Sequence, residues 1–137
     1  MTYTTISDYY KAIQKELKGM YSPVPVYALF NRNFSKEPTF VTWALRGSHR
    51  PVYTGPVKSV QGIDRPIVQV NIFSQDQKIA IAMSDTLINT WHGYSGLFGG
   101  TGGFQVSKVD VALLLNTYDN TIGLQQVVFD CTLDVPT

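Results

Sequence analysis

At 137 residues, with 44% hydrophobic and 15% charged side chains and a net charge of +1, the chain can bury about two thirds of its unfolded surface in one domain. It has no global charge to draw it to a nucleic-acid duplex or an anionic membrane. The charged fraction is well below the usual value of about a quarter, so part of the surface is expected to be covered by other subunits.

The single cysteine, Cys131, excludes an intramolecular disulfide, and its alternating setting VVFDCTLD predicts a buried strand thiol. The chain begins MTYTTISDYY, without a basic region leading into an apolar run, and no segment reaches the roughly 18 apolar residues of a membrane span. A soluble protein made in the cytoplasm is expected.

Thr5, with Asp8 three residues on, predicts a capped first helix with Ile6, Tyr9, Tyr10, Ile13, Leu17 and Met20 on one face. Gly19 is its expected stop. Lys11, Lys15 and Lys18 fall on the opposite face and read as a solvated stripe. Pro23 and Pro25 limit the run from Val26 to Phe30 to an edge strand. From Thr39 to Arg46 the sequence TFVTWALR alternates, placing Val41, Trp43 and Leu45 on one face of a strand and Phe40, Thr42 and Ala44 on the other.

Between Gly47 and Asp64 the sequence GSHRPVYTGPVKSVQGID holds three glycines and two prolines and predicts a long loop or loose hairpin. With Arg46, His49, Arg50 and Lys58 in or beside it, this basic stretch is a candidate contact arm. A solvated hairpin kept in water by its charges fits the same residues. Ile67 to Phe73 then alternates as a half-buried strand, with Val68, Val70 and Ile72 on one side. Ser74, with Gln77 three residues on, predicts the capping box of a second helix.

On that helix Ile79, Ala82, Met83, Thr86, Leu87 and Thr90 form a stripe expected to lie on the sheet. Ile81 and Ile88, seven residues apart, project from nearly the opposite side of the helix, where a lone subunit would normally carry charge. They are candidate interface residues.

After His92 the stretch GYSGLFGGTGGF places six glycines in eleven positions. It lacks the Gly-Lys-Ser/Thr ending of a phosphate-binding loop, and Gln105 stands where a dinucleotide pattern would need its third glycine. The expectation is a flexible loop that carries Tyr94, Leu97, Phe98 and Phe104 to a partner. Gln105 to Thr117 and Gly123 to Val135 read as the two arms of a closing antiparallel hairpin, turning around Tyr118, Asp119 and Asn120.

No nucleophile with a base, no tuned carboxylate pair and no metal-ligand spacing is visible. His49 and His92 have no partner of the HxH or HExxH kind. Asp110 sits among apolar neighbours, but Lys108 on the same strand face is its simplest partner. No catalytic, cofactor-binding or metal-binding residue is assigned.

The segment PIVQVNIFSQDQKIAIAMSDTLINTWHG, in which Val68, Val70, Ile72 and Phe73 lead through Ser74 to a helix with Ala80, Ala82 and Leu87 and a turn at Gly93, resembles the tail-terminator, or tail-completion, proteins of long-tailed bacteriophages. About 30 residues carry the likeness, and chain length and the closing hairpin agree with it. The glycine-rich loop and the proline-rich approach to Val26 match no pattern of the family.

The resemblance implies an α/β (α+β) subunit with one mixed, mostly antiparallel sheet and two helices, in the order α-β-β-(hairpin)-β-α-β-β. It implies a six-membered ring of identical copies at the tail–head junction of a virion, assembled in the host cytoplasm without a membrane. The ring would stop growth of the tail-tube protein, dock on a head-completion or connector protein, and let DNA pass without sequence-specific binding. Another neck or head–tail joining protein would meet the same requirements. From a different class, a small α+β ligand-binding or hydrolase-like domain would be favoured by a deep pocket joining His92 to an acid.

Overall fold

A computed structural model describes residues 5–29, 37–49 and 63–136. Helix α1 (Ile6–Tyr21) opens with the expected capping box: Thr5 accepts from the Asp8 amide, and the Asp8 carboxylate accepts from the Thr5 amide. The helix runs through Gly19 and ends at Ser22, whose amide bonds to the Lys18 carbonyl. Gly19 is therefore an interior position, because helix hydrogen bonding continues past it. The buried face carries Tyr9, Ala12, Ile13, Leu17 and Tyr21, whereas Ile6 is 62% exposed.

Strand β1 (Val26–Ala28) lies parallel beside β2 (Thr39–His49), and β2 pairs antiparallel with β3 (Ile63–Ser74). Most of the expected 47–64 loop falls outside the described residues. Its two ends, Gly47 to His49 and Ile63 to Asp64, belong to β2 and β3. A register shift between Leu45 and Gly47 breaks the ladder there.

Helix α2 (Gln77–Trp91) is capped by Asp76, which accepts from the Lys78 amide. The Ser74 hydroxyl instead accepts from the Asp76 amide in the turn before the helix, so the cap lies two residues after the expected one. The buried stripe is Ala80, Met83, Ser84, Leu87 and Trp91, while Ile79, Ala82, Thr86 and Thr90 are exposed. Apolar residues occur all round this helix, so the choice of inward face is made by Trp91 and the sheet rather than by spacing alone.

A short hairpin follows, β4 (Gly96–Phe98) against β5 (Phe104–Val106), and forms a second, two-stranded sheet. The chain then enters β6 (Lys108–Asp119) and returns as β7 (Leu124–Pro136). The strand expected from Gln105 to Thr117 is thus broken at Ser107, whose amide bonds to the Asp134 carbonyl while β5 turns away to β4.

The main sheet has the order β1-β2-β3-β7-β6, and every pair but β1–β2 is antiparallel. This is the expected mixed, mostly antiparallel α+β architecture. One face carries Val41, Trp43, Val68, Val70, Ile72, Val127, Phe129, Cys131 and Leu133 against the helices. The other face is held by the Phe40–Phe73 ring stack at 4.8 Å and by cross-strand ion pairs of Arg46 with Asp130 and Arg65 with Asp134. Helix α1 covers the β1 end of the sheet, and α2 covers β3, β7 and β6.

Candidate functional site

Strand β6 is the long outer edge of the main sheet. Its first half is anchored: Val109 is buried, the Val109 carbonyl accepts from the Gly93 amide, and the Val111 amide donates to His92 Nδ1. Beyond Val111 the cover ends. Leu113, Leu114 and Leu115 are 59%, 50% and 49% exposed, and Tyr118 is 50% exposed.

A bulge makes Leu114 the extra residue, so Leu113 opposes Phe129 on the helix-bearing face while Leu115 opposes Val128 on the other. The three leucines therefore wrap the edge from both sides. Edge strands are ordinarily guarded by charge, proline or short length. Here the only charges before the leucines, Lys108 and Asp110, pair with each other at 3.4 Å at one end, as expected for Asp110.

Helix α2 extends this edge. At about 100° per residue, Thr86 and Thr90 fall on one flank of the buried stripe and Ile81, Asp85 and Ile88 on the other. Thr86 and Thr90 line a groove against Lys15, Glu16, Gly19 and Met20 of α1. Ile81 and Ile88, 44% and 40% exposed, therefore face away from α1, on the β6 side. Complete burial of a large aliphatic side chain contributes about 1.5–3 kcal/mol, so covering the exposed half of Ile81, Ile88 and the three leucines would contribute about 4–7 kcal/mol. Association itself costs about 4–15 kcal/mol. Burial of this edge alone therefore offsets at most the lower end of that cost.

A second apolar surface lies at the opposite edge. Tyr10, Gln14, Val26, Tyr27 and Trp43 wall an open cleft of about 550 Å³ between α1 and β1, with Lys11 at its rim. The cleft is rigidly built: Trp43 Nε1 donates to Gln14 Oε1 at 2.6 Å, Gln14 Nε2 donates to the Val26 carbonyl at 2.9 Å, and the Tyr10 and Trp43 rings meet at 4.9 Å. Leu29, 59% exposed, follows directly after β1.

The glycine-rich stretch is not the free aromatic arm that its composition suggests. Phe98 and Phe104 are buried, and Phe98 packs on Trp91, Tyr94 and Phe104, with Phe104 edge-on to Tyr9. Gly99 adopts φ +82°, and a Cβ there would lie 2.7 Å from the Ala12 Cβ, so glycine lets the hairpin sit directly on α1. The Gly99 amide also donates to Glu16 Oε1 at 2.8 Å. Tyr94 is half-buried and donates to the Leu97 carbonyl, which leaves Leu97, 45% exposed, as the outward residue of the four.

Arg46 is exposed on the face opposite the helices and ion-paired with Asp130. His49 is the last residue of β2, and Arg50 and Lys58 lie outside the described residues. The structure thus brings Ile81 and Ile88 to one flank of α2 and places Arg46 on the opposite face of the sheet. It adds Leu113, Leu114, Leu115, Tyr118 and the Tyr10–Trp43 cleft, none of which was singled out from sequence. Only the break in alternation at LLL hinted at the first group.

Beneath Gly99 and Gly100 the groove between the helices measures about 490 Å³. Glu16 lines it, but His92 does not; His92 is held at the start of β6 instead. His92 and Glu16 thus do not meet in this groove. Among the described residues there is no group of three or more His, Cys, Asp or Glu side chains able to hold a metal ion, and no helix long and apolar enough to cross a membrane.

A chain in the virion of a native gene transfer agent particle superposes with TM-score 0.56 at 9% identity, over 95% of this chain and 92% of that one. The two share a fold. A second solved chain, of no stated function, superposes with TM-score 0.65 at 14% identity over 97% and 96% of the two chains. A chain from the sheath/tube terminator of an extracellular contractile injection system, PVC, in its extended state, aligns at 12% identity and TM-score 0.46, over all of this chain and 58% of that one. No family model and no curated protein matches the sequence.

Proposed function

We propose that this chain is a structural subunit of a phage-like tail and acts as its terminator. Copies form a ring, six-membered by the family resemblance, at the head-proximal end of the tail tube; the ring stops tube growth and joins the tube to the head connector. The observation that carries this reading is the uncovered apolar edge formed by Leu113, Leu114, Leu115, Ile81 and Ile88. Side chains of that kind on a rim this long are placed for a protein neighbour rather than for water. The fold shared with a virion chain and the likeness of residues 66–93 to tail terminators support the same assignment.

The role asks for no catalysis. It asks for contacts that close by rotation and for two different ring faces. Immunogold labelling of tubes grown from cognate tail-tube subunits tests the placement: label at one end of each tube is expected. Label along the tube wall, or none on tubes at all, would overturn the terminator assignment.

A further inference from the structure

We infer that the lysine row of α1, Lys11, Lys15 and Lys18, is a sequence-independent contact for the phosphate backbone of double-stranded DNA. The inference rests on the ring reading above, since a tail–head junction is where this chain would meet DNA, and it turns α1 toward the channel of the ring. At about 100° per residue the three lysines fall within about 60° of one another on the helix. All three are exposed. A rise of 1.5 Å per residue sets Lys11 and Lys18 about 10.5 Å apart along the axis, with Lys15 between them.

The sheet's cations are matched and these are not. Arg46, Arg65 and Lys108 each pair with a carboxylate, on Asp130, Asp134 and Asp110. Among the described residues no ion pair includes Lys11, Lys15 or Lys18. Glu16 points about 100° away from Lys15, and its carboxylate accepts from the Gly99 amide. Asp8, at one end of the row, is held in the Thr5 cap, and Lys11 is the weakest of the influences that lower its pKa. Across the groove α2 presents Thr86 and Thr90, while its exposed acid, Asp85, lies on the flank turned away from α1.

The make-up of the row favours a nucleic acid over an acidic protein. Protein interfaces are built round an apolar core and are depleted in lysine. This row continues into Ser7 and Ser22, both exposed, and carries no large apolar side chain. A phosphate backbone asks only for positive charge. A duplex carries one charge per about 1.7 Å of axis, so about six phosphates lie along each 10.5 Å and the row needs no register with them. Lysine's compact charge on a flexible stem suits a contact that slides. No arginine, asparagine or glutamine stands in the row to read a base edge.

Fluorescence anisotropy of a short labelled duplex, titrated with the protein at low salt, tests the contact. Wild type should bind duplexes of unrelated sequence alike. Three phosphate contacts per chain give a slope of about −2.7 in log affinity against log salt, roughly 20-fold weaker binding for each threefold rise in salt. Lys11→Gln, Lys15→Gln and Lys18→Gln each keep a good helix former, and each should flatten the slope by about 0.9. Lys78→Gln, an exposed position on α2 with the same change in net charge, should bind as wild type does. The variants are checked for native circular dichroism. No binding by wild type, equal weakening by Lys78→Gln, or capture of polyglutamate in preference to the duplex would overturn the proposal. Wild type is scored for tube capping alongside. Tubes capped by a protein that does not bind DNA would refute this contact and spare the terminator role; DNA binding that the α1 variants weaken, with tubes left uncapped, would do the reverse.

Discussion

Replacing Phe98 with alanine separates the hairpin's role in the core from a role as a contact arm. Phe98 is 1% exposed and closes a cluster of four aromatic rings. Truncating a buried phenylalanine costs about 3–5 kcal/mol through lost transfer energy and the cavity left behind. That is a large share of the 5–15 kcal/mol that holds a typical domain. With a urea slope of about 2 kcal/mol per M, the midpoint should fall by about 2 M. Leu97, its neighbour, is 45% exposed, so Leu97→Ala should cost about 1 kcal/mol and move the midpoint by about 0.5 M. Equilibrium unfolding followed by tryptophan fluorescence reads both. If the two variants lowered the midpoint equally, the hairpin would not be part of the core and its packing here would be wrong.

The pair Leu113→Ser and Leu115→Ser, made together, should lower folding stability by less than about 2 kcal/mol, because both side chains are half in water. The same variant should lose tube capping, scored by electron microscopy. Asp8 is held below the ordinary carboxylate range, first by the Thr5 amide it accepts from and then by the Thr5 hydroxyl. Its contribution to stability is therefore present above the unfolded pKa of about 3.9 and is lost as pH falls through the lower folded value. The stability gap between wild type and Asp8→Asn should accordingly close as pH falls from about 5 through the lowered folded value. Burial pushes the Cys131 thiol up, with the Asp130 charge adding to the effect. A thiol reagent at neutral pH should react with Cys131 only at the rate of unfolding, and with full stoichiometry in urea.

Much of the sheet could be read from sequence because its strands alternate cleanly. Val41, Trp43 and Leu45, and likewise Val68, Val70 and Ile72, point to the helices as their spacing requires. The cap of α1 was legible because Thr5 and Asp8 satisfy one another locally. The spacing of helix α2 predicts the wrong phase: with apolar residues on all sides, local pattern does not tell that Trp91 and Ala80 are drawn inward while Ile79 stays in water. The glycines of 93–103 predict a flexible loop, but Gly99 is required by close approach to Ala12, which is distant in sequence.

The site was only partly visible. Ile81 and Ile88 stood out because they interrupt a surface expected to be polar. Leu113, Leu114 and Leu115 did not, because a strand's apolar residues look alike whether it lies at the centre of a sheet or at its edge. Edge position is a property of topology, and the order β1-β2-β3-β7-β6 exists only once the chain has folded. The cleft of Tyr10, Gln14 and Trp43 likewise joins residues about 30 positions apart.

Tube length against added protein tests the terminator role most directly. Tail-tube subunits are polymerised with increasing amounts of this chain, and the length distribution is read by electron microscopy. Tubes should shorten as the protein is added, with a ring-shaped cap on one end and no subunits along the wall. Tubes that keep their length at saturating protein, with bare ends, would contradict it.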